Sequence, residues 1–490
     1  MPATTWAKDE FANINLGDKR LDQRAISIVQ QCADKPTASF PKTFNTNAEV
    51  VGAYRFFDNE NVTAQKILEP HCACSEERAR HYPLVLSLQD TTELNYNGQQ
   101  IDGLGSLTYA AQRGMYLHAT LLTTPARESL GIVDAWMWAR EIKGKKATPE
   151  EANATKPIKK ASKLPARSVA AKAAAGHSET CTVEITSPTT KESTRWIEGY
   201  ERMADMAERL ADTTRVVYVA DREGDILDLM KAAHARNNPA DWLVRAKHNR
   251  NLHEGEKLWD SVAASEALGG IKFNMAARKG VKARTITQEI RVKKVILPGG
   301  KGGDIAATCL IATEVGAPMG VAPVCWRLLT NRSADTLEAA IELIEWYRAR
   351  WEIEIFFHVF KNGCVVERMQ LDHVEKIECA LAVYMVVAWR IMYLMRMGRT
   401  CPELPADLFF DPDEIRVAYL LRRKKPPQDR KPQVNEVIRL IAQTGGFLAR
   451  KCDGEPGAQT IWKGMQDVRV AVATLQILRE EGQISGELCH

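Results

Sequence analysis

Four side chains in the stretch YRARWEIEIFFHVFK, Tyr347 to Lys361, are of the types that handle phosphate and metal: a phenol, a guanidinium, a carboxylate and an ammonium. On one α-helix at roughly 100° per residue, Tyr347, Arg350, Glu354 and Lys361 fall at about 0°, 300°, 340° and 320°, a single narrow face. An acid between two bases suits metal-assisted phosphate chemistry, because the carboxylate can hold a divalent cation while the bases hold the polyanion it works on. The same spacing would give an ordinary amphipathic helix its i, i+4 Arg350–Glu354 pair, so the face alone does not decide. Glu352, at about 140° on that helix, faces away from Arg350 and Lys361. Ile353, Phe356, Val359 and Phe360 would seat the helix on a core.

Two further acids follow strand-like runs. Pro83 to Gln89 is short and apolar and leads into Asp90; Arg215 to Ala220 is β-branched and delivers Asp221. Open α/β sheets place their ligands outside the carboxyl ends of strands. Two strand-terminal aspartates and a helical glutamate make a three-carboxylate set that could hold two magnesium ions about 4 Å apart, one activating an attacking oxygen and one stabilising a leaving oxygen.

The elements that must carry these residues can be read in chain order. Residues 1–75 are expected to be helical, with Leu21, Ile26, Ile28 and Val29 on a partial apolar face and a second helix through Gly52 to Phe57. Lys19, Arg20, Arg24, Lys42 and Arg55 make this region basic enough to touch phosphates, although a solvated helix surface would look the same. Met115 to Thr123 and Leu130 to Ala139 read as strands. Residues 143–179 lack any apolar period and are rich in Lys, Ala and Pro, so a flexible basic excursion is expected. A helix from Thr194 to Leu210 would bury Trp196, Tyr200, Met203, Met206 and Leu210. Residues 252–324 show few helix signals, strand-like runs at 285–292, 295–297 and 306–312, and the glycine-rich Pro298 to Gly303. After Lys361 the chain is expected to be mostly helical. The last helix, from about Thr460 to Glu481, has an apolar stripe of Ile461, Met465, Val468, Val472, Leu475 and Leu478, suited to pairing with a second subunit or to burial within the chain.

Composition narrows the class. At 490 residues the chain should divide into two to four units, and 45% hydrophobic with 26% charged residues is an ordinary globular mixture. The formal net charge of +4 leaves any nucleic-acid affinity to local patches. The 11 cysteines form no CxxC pair and read as reduced thiols. No secretory leader is expected, and the apolar run from Cys379 to Leu394 contains Arg390 and reads as a buried helix, so no membrane is expected.

The pattern Y-x2-R-x3-E-x6-K from Tyr347 to Lys361 resembles the signature of the DDE transposases of insertion sequence family 4. The likeness extends through NLGDKR at Asn15–Arg20, GAYRF at Gly52–Phe56, DTTELNY at Asp90–Tyr96, RGMYLH at Arg113–His118, DREGD at Asp221–Asp225, VRAKH at Val244–His248, WRLLT at Trp326–Thr330, DPDE at Asp411–Glu414 and GGF at Gly445–Phe447. The resemblance implies an α/β, RNase H-like catalytic core interrupted by a β-stranded insertion. Helical N-terminal DNA-binding and C-terminal dimerisation regions would flank it. The boundaries this suggests are 1–75, 76–375 and 376–490, with the excursion at 143–190 and the insertion at 250–325. Asp90, Asp221 and Glu354 would be the catalytic and metal-binding triad, holding two Mg2+ with Mn2+ able to substitute. Tyr347, Arg350 and Lys361 would grip phosphates, and Trp326 would stack on a base flipped out near the cut. Arg245, Lys247 and His248, with Lys19, Arg20 and Arg55 in the N-terminal region, would touch DNA. The implied activity is cut-and-paste transposition by a homodimer on double-stranded DNA, both transposon ends and target, in a bacterial cytoplasm at the nucleoid. A DNA-binding regulator that does not cut, and a magnesium-dependent nuclease without strand transfer, would use the same residues.

Overall fold

The computed structural model describes residues 6–140, 192–253, 255–275 and 283–483; the basic excursion expected at 143–190 lies outside them. The architecture is built on one sheet. Its centre is β1 (Leu84–Asn95), flanked by antiparallel β3 (Arg113–Thr123) and parallel β5 (Arg215–Ala220). Outside β3 lie β4 (Ser129–Trp138) and the two-residue β2 (Gly105–Ser106), and outside β5 lies parallel β6 (Asp241–Arg245). The order β4–β3–β1–β5–β6, antiparallel on one side of β1 and parallel on the other, fits the RNase H-like core expected. Val216, Val217 and Val219 explain why β5 lies inside the sheet, between β1 and β6: all are fully buried, so both of its faces are apolar and must be covered.

The expected β-stranded insertion prolongs this sheet. β7 (Ala267–Met275), β8 (Arg284–Leu297), β9 (Ile305–Glu314) and β10 (Cys325–Thr330) form an antiparallel meander, and β10 joins it to β6 through Leu328 opposite Arg245. The runs read separately at 285–292 and 295–297 are one strand. Pro298 to Gly303 forms the β8–β9 turn, where Gly300 and Gly303 take positive φ.

Helices cover the sheet. The N-terminal region has α1 (Trp6–Glu10), α2 (Lys19–Asp34), α3 (Phe40–Thr43), α4 (Asn47–Phe57) and α5 (Ala64–Ala79). Their starts are written locally: Asp18 caps α2, Thr46 and Glu49 form a capping box on α4, and Thr63 caps α5. α6 (Thr194–Leu210) buries the five apolar residues expected of it, α7 (Leu227–Ala235) follows β5, and the short α8 (Leu258–Ala263) has too few turns to show a period in sequence. Then come α9 (Leu337–Ala349), α10 (Trp351–His358), α11 (Val374–Thr400), α12 (Pro412–Leu421), α13 (Val434–Thr444) and α14 (Ala458–Glu480). α11 is long and apolar enough to span a bilayer, but 94% of its apolar window is buried inside this fold. It packs on α2, α5 and β4, so N-terminal, sheet and C-terminal residues share one apolar core.

Candidate active site

Asp90 and Asp221 are set level by strand register. β1 and β5 pair in parallel as far as Leu88 opposite Val219, so two residues further on each strand the two aspartates stand side by side. Asp221 follows β5 directly, as expected. Asp90 does not end its strand: β1 continues to Asn95, and Asp90 itself pairs with Ala119 of β3. The parallel partner stops there, so Asp90 is open on the β5 side while β3 keeps it extended.

The turn after β5 is rigid. Asp221 Oδ1 accepts the Glu223 N–H at 2.7 Å, and a methyl group at Gly224 would meet the Ala220 Cβ at 2.5 Å. Asp225, 3% exposed, accepts the backbone N–H groups of Lys247 and His248 at 2.6 and 2.9 Å and pairs with Arg250 at 2.7 Å. That clips the segment after β6 to the Asp221 turn. Asp90, Asp221, Glu93, Glu223 and Lys247 line one cavity of about 410 Å³. Neither Glu93, within DTTELNY, nor Glu223, within DREGD, stands out by type or spacing in the sequence; only the fold turns them into the same space.

The signature stretch is not one continuous helix. α9 ends at Ala349, Arg350 is a junction whose N–H bonds to Tyr347 three residues back, and α10 gives way to a π turn at Val359–Gly363. Arg350 and Glu354 nevertheless share a side. Arg350, 6% exposed, donates from Nη1 to Asp90 Oδ2 at 2.9 Å and from Nη2 to Glu354 Oε1. Tyr347 is buried with its ring centroid 6.0 Å from that guanidinium. The wider turn swings Lys361 toward β1, where Nζ donates to Thr92 Oγ1 at 3.2 Å and lies 3.6 Å from Glu367. Glu352 faces away as expected, buried against Arg396. Trp351 is 56% exposed.

Electrostatics mark Asp90. Burial pushes its carboxyl up, Arg350 pulls it down, and the charges of Asp221 and Glu354 add to the rise, giving a value of about 6. Glu223 is also raised, by burial and then by Asp221, with Lys247 opposing. Among the described residues no three His, Cys, Asp or Glu side chains converge tightly enough to enclose a metal ion. The donor chemistry still fits one: the carboxylates are all-oxygen ligands for a hard cation, and a guanidinium already sits where positive charge is required, between Asp90 and Glu354.

The remaining expected residues lie around this centre or apart from it. Trp326, on β10, is half-buried and stacks on Phe273 of β7 at 5.3 Å with planes 13° apart; Arg348 covers Phe273 at 4.9 Å. Arg245 ends β6, and Lys247 and His248 are exposed beyond it. Lys19 and Arg20 open α2, Arg20 ion-paired to Asp18 at 2.9 Å, and Arg55 lines a separate cleft between α2 and α4.

Three family profiles match the chain: "Transposase DNA-binding" over residues 3–62, "Transposase DDE domain" over residues 125–389, and "Transposase Tn5 dimerisation domain" over residues 386–483. The second spans more than half of the chain and includes Asp221 and Glu354, while Asp90 precedes it. Among solved structures, a cryo-EM structure of the piggyBac transposase synaptic complex with hairpin DNA is similar at 7% identity, covering 99% of this chain and 79% of that one, with a TM-score of 0.38, too slight a likeness to carry an argument.

Proposed function

The chain belongs to the DDE transposases, metal-dependent enzymes that cleave DNA and transfer strands, and from that premise we propose that it excises and reinserts its own element by a cut-and-paste route. In this reading it binds the terminal inverted repeats, nicks one strand at each end, and lets the freed 3′-OH attack the opposite strand to form a hairpin. Water then opens the hairpin, and the 3′-OH attacks target DNA. The observation that carries the reading is the level pair Asp90 and Asp221, joined to Glu354 through Arg350.

Asp90, Asp221 and Glu354 would hold two magnesium ions, which supply activation of the attacking oxygen and stabilisation of the leaving one. The chain's own residues do the rest. Arg350 presents positive charge beside Asp90 and Glu354, and Lys361 beside Thr92 two residues further along β1; both would hold the phosphates that flank the scissile bond. Tyr347, packed behind Arg350, restricts where the guanidinium can go. Lys247, clipped in place by Asp225, would meet the backbone on the other side of the cavity. Hairpin formation bends a strand sharply, and the Trp326 ring, backed by Phe273, would receive the displaced base. Two chains would act together, each binding one end, and the work would be done at the nucleoid of a bacterial cytoplasm.

The test is incubation of the purified protein and magnesium with a duplex carrying the repeats that flank its gene, resolved on denaturing gels. Nicks, then hairpins, then joined products are expected. Binding without any cut, in manganese as well, would favour a regulator; nicks without joined products would favour a nuclease.

A further inference from the structure

Gly52 stands in the interior of α4, and its φ is not among the positive ones, so no turn or left-handed backbone requires a glycine there. Glycine in a helix interior is disfavoured relative to alanine, which leaves the position in need of another reason. The space beside it supplies one. A methyl group on Gly52 would lie 1.7 Å from Arg24 Nη1 and 3.0 Å from Arg24 Cζ; its three nearest neighbours are all atoms of that guanidinium.

Arg24 comes from the exposed side of α2 and points its Nη1 end-on at α4, into the gap where the side chain is missing. Among the described residues it has no hydrogen-bond or ion-pair partner, unlike Arg20, which is balanced by Asp18. It lines both of two adjoining clefts of about 550 and 450 Å³ between the helices, with Arg20, Gln23, Asn47, Arg55 and Asn59 on their walls. An arginine seated end-on, with Nη1 in the notch and no partner on its Nε–Nη2 edge, can present that edge to a planar acceptor pair. On DNA that is the O6 and N7 edge of guanine, whereas a phosphate contact needs no such fixed plane.

We propose that Gly52 is the seat of a base-reading arginine, and that Arg24, held there, is a specificity-determining contact to a guanine in the element's terminal repeat. The inference rests on the reading of the chain as a transposase that recognises its own ends.

Binding of the full-length protein is measured by fluorescence anisotropy on a terminal-repeat duplex and on an unrelated duplex of equal length. Gly52→Ala displaces the guanidinium without altering its charge. It should weaken repeat binding about tenfold or more while leaving the unrelated duplex within about twofold, as loss of a base contact does. Its melting temperature should equal or exceed that of the wild type, since alanine favours the helix. Arg24→Ala should lose at least as much on the repeat, and the double variant no more than Arg24→Ala alone, because glycine acts only through the arginine. Repeat binding unchanged in Gly52→Ala overturns the inference, as does equal loss on both duplexes, which marks a phosphate contact. Wild-type protein with no preference for its repeat overturns end recognition itself.

Discussion

Arg350 donates to Asp90 at 2.9 Å and reaches Glu354 with its other amino group, so one guanidinium stands between two of the three carboxylates. Removing that charge should change two things in opposite directions. Arg350→Gln should let the DNA-free protein bind Mn2+ roughly tenfold more tightly, because a unit charge about 4 Å away opposes a cation by more than the 1.4 kcal/mol this needs. Nicking should fall by about a hundredfold or more, through loss of a phosphate contact. Titration followed by electron paramagnetic resonance, beside a nicking assay, reads both. Unchanged Mn2+ affinity would remove Arg350 from the cation's neighbourhood.

Glu352 and Glu354 are two residues apart and should give opposite phenotypes. Glu352, 2% exposed, accepts from Arg396 Nε at 2.8 Å and from Arg396 Nη2. Glu352→Gln leaves Arg396 half-paired in the core and should cost about 3 to 5 kcal/mol. The Glu354 side chain is 48% exposed, so Glu354→Gln should cost at most about 0.5 kcal/mol yet abolish nicking while end binding persists. Thermal unfolding and gel assays on the two variants separate them, and residual magnesium-dependent nicking in Glu354→Gln would remove it from the triad.

How much of this was legible in sequence depended on whether local pattern or distant pairing decided the outcome. Asp221 was placed correctly because a β-branched run and the tight turn around Gly224 are both local. Asp90 was misplaced at a strand end because Asp90–Thr91–Thr92 reads as a turn; pairing with Ala119 of β3 keeps it extended. Lys361 was put on a regular helix, and the π turn that redirects it leaves no trace in residue type. β7 was missed because Gly269 and Gly270 dilute its strand character, and its pairing with β8 is what extends it. Glu93 and Glu223 join the cavity only through the sheet.

Acid should loosen the attachment of α1. Glu10 accepts from His71 Nδ1 at 2.5 Å and from both Arg78 amino groups at 2.9 Å, and His71 Nε2 accepts the Ile132 N–H at 3.0 Å, which keeps the ring's proton on Nδ1. Burial pushes Glu10 up, but the His71 hydrogen bond and Arg78 outweigh it and bring its pKa to about 2. A folded value below the ordinary one stabilises fully above about pH 4.5 and loses that contribution as pH falls toward 2, on the order of 3 kcal/mol. Burial lowers the pKa of His71 as well, so its contribution is also lost on acidification. Glu10→Gln should therefore melt well below wild type at pH 7, and the gap should narrow as pH approaches 3. A gap independent of pH would mean the charge on Glu10 is immaterial.

Phe273 should matter to hairpin formation without touching DNA. It lies parallel to Trp326 at 5.3 Å, with Arg348 against it at 4.9 Å, so the tryptophan is backed by a fixed surface. Stacking a base on an aromatic ring contributes roughly 1 to 3 kcal/mol. Trp326→Ala should cut the ratio of hairpins to nicks about tenfold or more, and Phe273→Ala should cut it less, by freeing the tryptophan. Their effects should not add, because both act on one platform. Equal loss of nicking and hairpins in Trp326→Ala would leave no base-receiving role to support.

The two halves of α14 should respond differently to the same kind of substitution. Its first half is committed to this chain: Ile461, Trp462, Met465 and Val468 are 1–4% exposed. Beyond them Val470 and Ile477 are 54% and 55% exposed, seven residues apart and so on one side of the helix. This half also lies within the segment matched by the Tn5 dimerisation profile. A charge at Met465 must be buried without a partner, so Met465→Glu should lower the melting temperature sharply. Ile477→Glu places its charge in water on the single chain and should leave melting unchanged, yet it would be desolvated against a second copy. Light scattering of the protein with end duplex should then give a dimer for wild type and a monomer for Ile477→Glu. A dimer that survives in Ile477→Glu and in Val470→Glu alike would put the subunit contact elsewhere on residues 386–483 and leave this exposed stripe to the solvent.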